Sequence, residues 1–349
     1  MPRSPWYGAE ACSESESGMF RSCLHARASS IGCFVSNGAV WMVQLQRDRA
    51  RSVHACTASF SISDADGTGE QCCYPDSASL LSAVRGAPFV GRSIVLGAPP
   101  EFVVYRRMFV APMPEVEIAK AIYWQITNEI DDDPDEYCVD YYMVGNLYHG
   151  GRRRHELIVV TAAEGRLREY VSCYADANLN VNAVDTVAGA LARSITSHEV
   201  SGGSDSACLI VHLDPKSPII VAAYAGAPRL VHRIAHSLVA ENGRSLEQTA
   251  RQLMHAINAS ARYLGEMRSG AFMPSFACVV GAGSSERSLL EAMRATNSDL
   301  ELRLVEEAMA PAHRELLVSA GGELDCASWT IALGLALYDC PVEASEVLA

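Results

Sequence analysis

Apolar positions begin to repeat at Ile31. Residues 31–45 form two short apolar runs on either side of Ser36, Asn37 and Gly38, which predicts two strands joined by a tight turn. Residues 61–76 are polar and glycine-containing, and read as a loop. A short helix over 77–85, a buried strand over 93–96, a turn at Pro99 and Pro100, and a strand over 102–109 follow. The next helix is the best marked. Pro112 and Pro114 precede it, Glu115 and Glu117 occupy its first turn, and Ile118, Ile122, Gln125, Ile126 and Glu129 carry it on. Asp131, Asp132, Asp133 and Pro134 end it. Strands over 137–144 and 155–161, a helix over 164–175, a strand over 181–185 and a helix over 187–195 complete the first half.

Residues 199–206, with Gly202 and Gly203, read as a boundary. Strands over 207–211 and 219–224 flank Asp214, Pro215, Lys216 and Ser217, and a third strand covers 229–234. A long helix runs over 245–264, with Ser245 and Gln248 spaced as a capping box. A strand over 276–280 leads into the turn Gly281–Ala282–Gly283–Ser284. Helix 286–295, strand 300–305 and a last helix over 326–338 end the pattern. The strand–turn–strand unit near Ile31 returns near Ala207, each time followed by further strands and helices. Two related α/β halves are expected.

The 349 residues fit about two domains. With 49% apolar residues, each can have a sizeable core. The 28 Lys and Arg against 41 Asp and Glu give a formal charge of −13, which argues against nucleic acid as a partner, since phosphate binding needs clustered cations. It argues equally against a purely electrostatic hold on anionic lipid. No apolar run reaches the roughly 20 residues of a membrane span, and residues 1–30 lack a signal core. No direct membrane insertion is expected, and a cytoplasmic location is. The 12 cysteines contain no Cys-x-x-Cys, and Cys208, Cys278 and Cys326 sit in apolar runs, which fits a reduced protein.

Several blocks then carry a resemblance. Ile-Gly-Cys-Phe-Val-Ser-Asn-Gly-Ala-Val-Trp-Met-Val-Gln-Leu from Ile31 aligns without gaps to a phosphate loop of the form Ile-Gly-Ile-Asp-Ile-Gly-Ser-Ser-Ser-Ile-Lys-Ala-Val-Glu-Leu. Ser93 to Pro99 and on to Arg106, the helix from Pro112, Asp140–Tyr141, the run from Leu157 through Val184–Asp185 to Ala190-Leu-Ala-Arg, and Ala332-Leu-Gly-Leu-Ala-Leu follow in order. The chain resembles the type IV pilus assembly protein PilM family of the actin-like ATPase superfamily over about residues 31–338.

The resemblance implies an actin-like, ribonuclease H-like two-lobed α/β fold, each lobe with a central mixed β-sheet flanked by helices and nucleotide held between them. It divides the chain into a flexible arm (1–30), a first lobe (31–206) with an inserted α/β subdomain at about 77–162, a second lobe (207–325), and a C-terminal helix (326–340) returning to the first lobe. It implies a scaffold on the cytoplasmic face of the inner membrane, peripheral to it through a partner. That partner is an inner-membrane pilus assembly protein whose PilN-like cytoplasmic tail is gripped in the first lobe. A homo-oligomer or ring is a further expected assembly.

By the same resemblance the nucleotide-binding positions are Ser36, Asn37, Gly38, Lys216, Ser217, Gly281, Gly283 and Ser284. Here the chain departs from the pattern. Phe34 replaces the acid of the first loop, Ser36 its glycine and Trp41 its lysine. In the second loop His212 replaces the acid and Asp214 the glycine, while Pro215 and Pro218 remove two N–H donors. ATP chemistry in such loops needs backbone donors and a carboxylate for Mg²⁺ or its waters. No cofactor and no catalytic residue is expected, and the chain reads as a pseudo-ATPase. The alternative is an active actin-like ATPase binding Mg-ATP between the lobes.

Other groups read blandly. His232 and His236, four apart, lack a third metal ligand, and His212, His255 and His313 read as core or solvated. The acids at 131–136 read as a solvated helix end. Arg152, Arg153 and Arg154 form a basic spot on a hairpin tip, open to lipid headgroups or an acidic partner. Cys12, Cys23, Cys72 and Cys73 are loop thiols without a base. Ile122 and Trp124 are expected in the core.

Overall fold

A computed structural model describes residues 28–36, 38–48, 52–62, 74–129, 136–196, 207–214, 217–234, 245–267, 274–281, 286–296, 300–321 and 327–342. Its elements are β1 (Ile31–Ser36), β2 (Ala39–Arg47), β3 (Val53–Ser61), α1 (Ser77–Gly86), β4 (Ser93–Gly97), a 3₁₀ turn (Pro100–Phe102), β5 (Val103–Val110), α2 (Glu115–Glu129), β6 (Tyr137–His149), β7 (Arg152–Ala163), α3 (Glu164–Asp176), β8 (Asn180–Asp185) and α4 (Val187–Ile195). Then come β9 (Ala207–His212), β10 (Ile219–Tyr224), β11 (Ala227–Arg233), α5 (Leu246–Met267), β12 (Pro274–Val280), α6 (Glu286–Arg294), β13 (Glu301–Leu304), α7 (Val305–Ala308), α8 (Pro311–Ser319) and α9 (Ala327–Ala336). The described chain divides into two compact units, one of Met1–Phe102, Ala163–Glu199 and Met309–Ala349, the other of Val103–Ala162 and Val200–Ala308.

The first unit is built on a sheet of order β3-β2-β1-β4-β8. β1 pairs antiparallel with β2 and parallel with β4, so the sheet is mixed. β1 is buried on both faces. On one face α9 lies against the backbone of Gly32, where a Cβ would stand 2.2 Å from Ala332 O. The same helix meets α4 at Gly334, where a Cβ would stand 1.9 Å from Ala190 O. Any side chain at either glycine would collide with backbone, so close packing there demands their absence. Asp185 at the end of β8 is buried. It accepts from Thr186 N–H and pairs with Arg193 of α4, which also donates to Gly334 O at 2.9 Å. On the other face Cys33 lies against Tyr174 of α3, with Tyr174 O–H donating to Tyr170 and Tyr170 O–H to Gly97 O. Asp76 and Thr186 cap α1 and α4 through side-chain oxygens.

The second unit repeats the plan, with order β11-β10-β9-β12-β13, β9 antiparallel to β10 and parallel to β12. Leu209, Val211 and Val279 pack against Leu253 and Ile257 of α5 and Leu290 of α6. The expected capping box starts α5, with Gln248 N–H donating to Ser245 Oγ and Ser245 N–H to Gln248 Oε1. The unit also holds a three-stranded sheet, β5-β7-β6. Ile118, Ile122 and Ile126 of α2 cover one face of it, over Met108, Val110, Leu157 and Val159. On the other face Arg107 pairs with buried Glu156 at 2.7 Å and stacks over Tyr263 of α5. Arg229 and Arg233 of β11 donate to Val144 O and Val103 O. Chain order attaches this insertion to the first lobe; its packing groups it with the second unit.

Three features differ from the sequence reading. β3 is an additional strand, and α7 and α8 are additional helices. Strands β6 and β7 run on to the Gly150–Gly151 turn. Trp124 is 67% exposed rather than in the core. It lies about 200° around the helix from Ile122, away from the isoleucine face that packs on the sheet. Residues 1–27 of the arm (1–30), the acids at 131–135, the boundary at 199–206 and Cys12, Cys23, Cys72, Cys73, Cys326 and His236 lie outside the described residues, while Ala28 and Ser29 bond to β2.

Candidate functional site

The first hairpin turns in two residues, since Ser36 pairs with Ala39. Gly38 has φ +68°, and a Cβ there would meet nothing within 4 Å. Glycine here serves the backbone angle, not the close approach of another group. Ser36 is partly exposed at the end of β1, and Asn37 lies outside the described residues. Phe34 is 1% exposed. A Cβ on Gly97 would lie 2.7 Å from its Cδ2, so the ring rests on the bare backbone of β4. Trp41 pairs with Phe34 across the hairpin, and its ring meets Trp329 of α9 edge-on at 5.0 Å. Trp41 Nε1 has no hydrogen-bond partner among the described residues. Where the resemblance places an acid and a lysine, the hairpin holds a packed aromatic group.

The second hairpin is wider, since His212 pairs with Ile219. Leu213 N–H goes to Val280 O, and Ser217 N–H goes to Asp214 Oδ1 at 2.8 Å. Pro215 and Pro218 have none to give. Ser217 is buried, and Lys216 lies outside the described residues. An aspartate that accepts from the amide three residues on closes an Asx-type turn on itself.

His212 ends β9 just before this turn. It is buried, and its Nδ1 has no hydrogen-bond partner among the described residues. Burial holds its pKa below the ordinary imidazole value, against the opposing pull of Asp214. Gly281 follows β12 with φ +95°, and a Cβ there would stand 3.4 Å from both His212 Cδ2 and Leu213 O. Ser217 and Gly281 therefore belong to two loops that touch through His212 and Leu213. Ser36 and Gly38 belong to the hairpin of the other unit. Gly283 and Ser284 lie outside the described residues.

Among the described residues the first loop presents no carboxylate for Mg-ATP, and the second ties its carboxylate to its own amide. Asp185, the buried acid beside the first sheet, is neutralised by Arg193. Among the described residues no three His, Cys, Asp or Glu groups are placed to hold a metal ion. His232 is exposed on β11, and His313 is buried with its Nδ1 2.9 Å from Ser194 O. Burial pushes the Cys33 and Cys208 thiols up to about 12, the reverse of what a nucleophile needs. Sequence reasoning did not find the Asp214–Ser217 bond, although an aspartate three residues ahead of an N–H inside a proline-flanked turn is a signal for it.

No protein-family model matches the chain, and no curated protein does. Among solved structures it is similar to the PilM-PilN type IV pilus biogenesis complex, with a TM-score of 0.60 and 19% identity over 90% of this chain and 99% of that one. Weaker likenesses are to the cytoplasmic domain of EpsL, an inner-membrane component of the type II secretion system of Vibrio cholerae (TM-score 0.42, 12% identity, 84% of this chain and 94% of that one), and to a Bacteroides thetaiotaomicron protein of actin-like ATPase fold and unknown function (TM-score 0.41, 9% identity, 83% and 95%). The chain shares its fold with the PilM-PilN structure over nearly its whole length. Among the described residues no helix is long and apolar enough to cross a membrane.

Proposed function

We propose that the chain is a scaffold of type IV pilus or type II secretion-like assembly machinery that does not hydrolyse ATP. It sits at the cytoplasmic face of the inner membrane and captures the short cytoplasmic tail of an inner-membrane partner, as a PilN-like protein would offer, in a groove of its first lobe. Peptide-in-groove or added-strand contacts suit such a tail. The similarity to the PilM-PilN structure supports the scaffold reading. The observation that carries the loss of hydrolysis is the turn in which Asp214 accepts Ser217 N–H between two prolines. A phosphate loop must point its amides outward, and this one spends an amide and a charge on closing itself.

Two measurements test the reading. Calorimetric titration of the full chain with Mg-ATP, alongside a phosphate-release assay, is expected to give no turnover. Affinity capture from detergent-solubilised inner membranes is expected to recover a single-span protein with a short cytoplasmic tail. Magnesium-dependent turnover that disappears on Lys216→Ala or Ser217→Ala would establish the ATPase instead. Capture with no pilus or secretion protein would remove the scaffold.

A further inference from the structure

Residues 141–155 contain three arginines, Arg152, Arg153 and Arg154, and no acid, in a chain of formal charge −13. They form the distal part of the β6–β7 hairpin. Gly150 and Gly151 close it with φ of +58° and +74°, the two left-handed positions of a type I′ turn. A Cβ at either glycine would meet nothing within 4 Å, so the tip stands in open solvent. His155 Nδ1 and Asn146 Oδ1, 2.5 Å apart, mark the register, in which Tyr148 stands opposite Arg153. Tyr148 is 79% exposed, and Arg152 and Arg153 are exposed beside it. None of the three guanidinium groups is held by a hydrogen bond or ion pair among the described residues.

We propose that this tip contacts the anionic headgroups of a phospholipid bilayer. Arginine forks match phosphate oxygens, and a tyrosine ring settles at headgroup depth with its hydroxyl in water. An acidic protein segment would use the arginines but give the Tyr148 ring no apolar layer, so the bilayer fits both halves of the tip. The overall acidity tells against a hold by charge alone, and at this tip the Tyr148 ring adds an apolar contribution. Charges are screened beyond about 8 Å at physiological ionic strength, and the headgroups at the tip meet three cations with no acid among the neighbouring residues of the hairpin. Each arginine near an anionic surface strengthens partitioning about fivefold, so three give on the order of 100-fold. That is a weak, reversible contact. It serves as a second tether for a protein already held at the membrane by a partner, and in that clause alone it rests on the scaffold reading.

Co-sedimentation of the full chain with vesicles tests it without any protein partner, so its outcome is independent of the capture experiment. Vesicles of phosphatidylglycerol and phosphatidylcholine in equal parts are expected to bind the chain, and phosphatidylcholine vesicles are not. Replacing Arg152, Arg153 and Arg154 together by Gln is expected to weaken binding on the order of 100-fold. Tyr148→Ala is expected to weaken it severalfold, and added salt to weaken it further. The triple Arg→Lys variant keeps the charge and is expected to keep most of the binding, which separates charge from damage to the hairpin. The proposal falls if anionic vesicles do not bind the chain, or if the Gln variant binds as well as the parent. It also falls if soluble polyglutamate binds the chain where vesicles do not, which would make the tip a site for an acidic protein.

Discussion

The two five-stranded sheets share strand order and strand sense, yet their equivalent hairpins end differently. β1 and β2 close in a two-residue turn over an aromatic group of Phe34, Trp41 and Trp329. β9 and β10 close in a longer turn that Asp214 ties shut, beside the buried His212, whose Nδ1 has no hydrogen-bond partner among the described residues. A strand ladder is a backbone property and accepts any side chains that fill the layer. A phosphate loop depends on a few amides and one acid in place. The frame therefore occurs twice, while its two equivalent hairpins are closed by unrelated arrangements, one apolar and one self-bonded.

The comparison can be broken most sharply by placing an acid in each hairpin. Phe34→Asp buries a carboxylate where an aromatic ring filled space and should cost about 4 kcal/mol or more in urea unfolding. His212→Asp replaces a ring whose Nδ1 is already without a partner among the described residues and should cost roughly half as much. Equal losses would mean that the two hairpins do not differ in the way described. A second contrast sets support against turn. Gly334→Ala pushes a methyl into Ala190 O and should cost about 3 kcal/mol, whereas Gly38→Ala meets only the backbone penalty of a left-handed residue, about 1 kcal/mol. The smallest effect concerns pH. The buried His212 ring has a pKa below its ordinary value of 6.5, so the unfolded chain takes up that proton first. The stability carried by the neutral ring is complete above pH 6.5 and is lost as pH falls towards its lowered folded-state pKa, with a slope of at most about 1.4 kcal/mol per pH unit. His212→Gln should flatten the stability–pH curve below pH 6.5; an unchanged curve would assign the dependence to other groups.

Much of the frame was legible because it repeats at short range. The turn at Asn37–Gly38, the isoleucine spacing of α2 and the Ser245–Gln248 box each lie within a few residues. β3 was not legible, since its Thr, Ala and Ser positions have little apolar contrast and it forms by lying along β2. Trp124 misled because hydrophobicity alone does not give the face of a helix. At the candidate site Phe34, His212 and Asp214 were visible as residue types, but what they touch was not. Phe34 against Gly97, Trp41 against Trp329 and Gly334 against Ala190 join segments far apart in the chain, and a glycine inside an apolar run carries no mark of the backbone it will touch.

The contact of α9 with Gly32 has a consequence for how the chain is made. Ser30 N–H and Ser30 Oγ donate to Asp339, 309 positions away in sequence, and α9 covers β1 beside it. On a ribosome β1 emerges early, but the helix that covers one of its faces emerges only after the whole of the second unit. Val103–Ala162 and Val200–Ala308 can pair their strands in order of appearance, while the first sheet waits with an apolar face uncovered. The unit begun first is thus completed last, and a chaperone that shields that face during synthesis would act on the segment around Ile31.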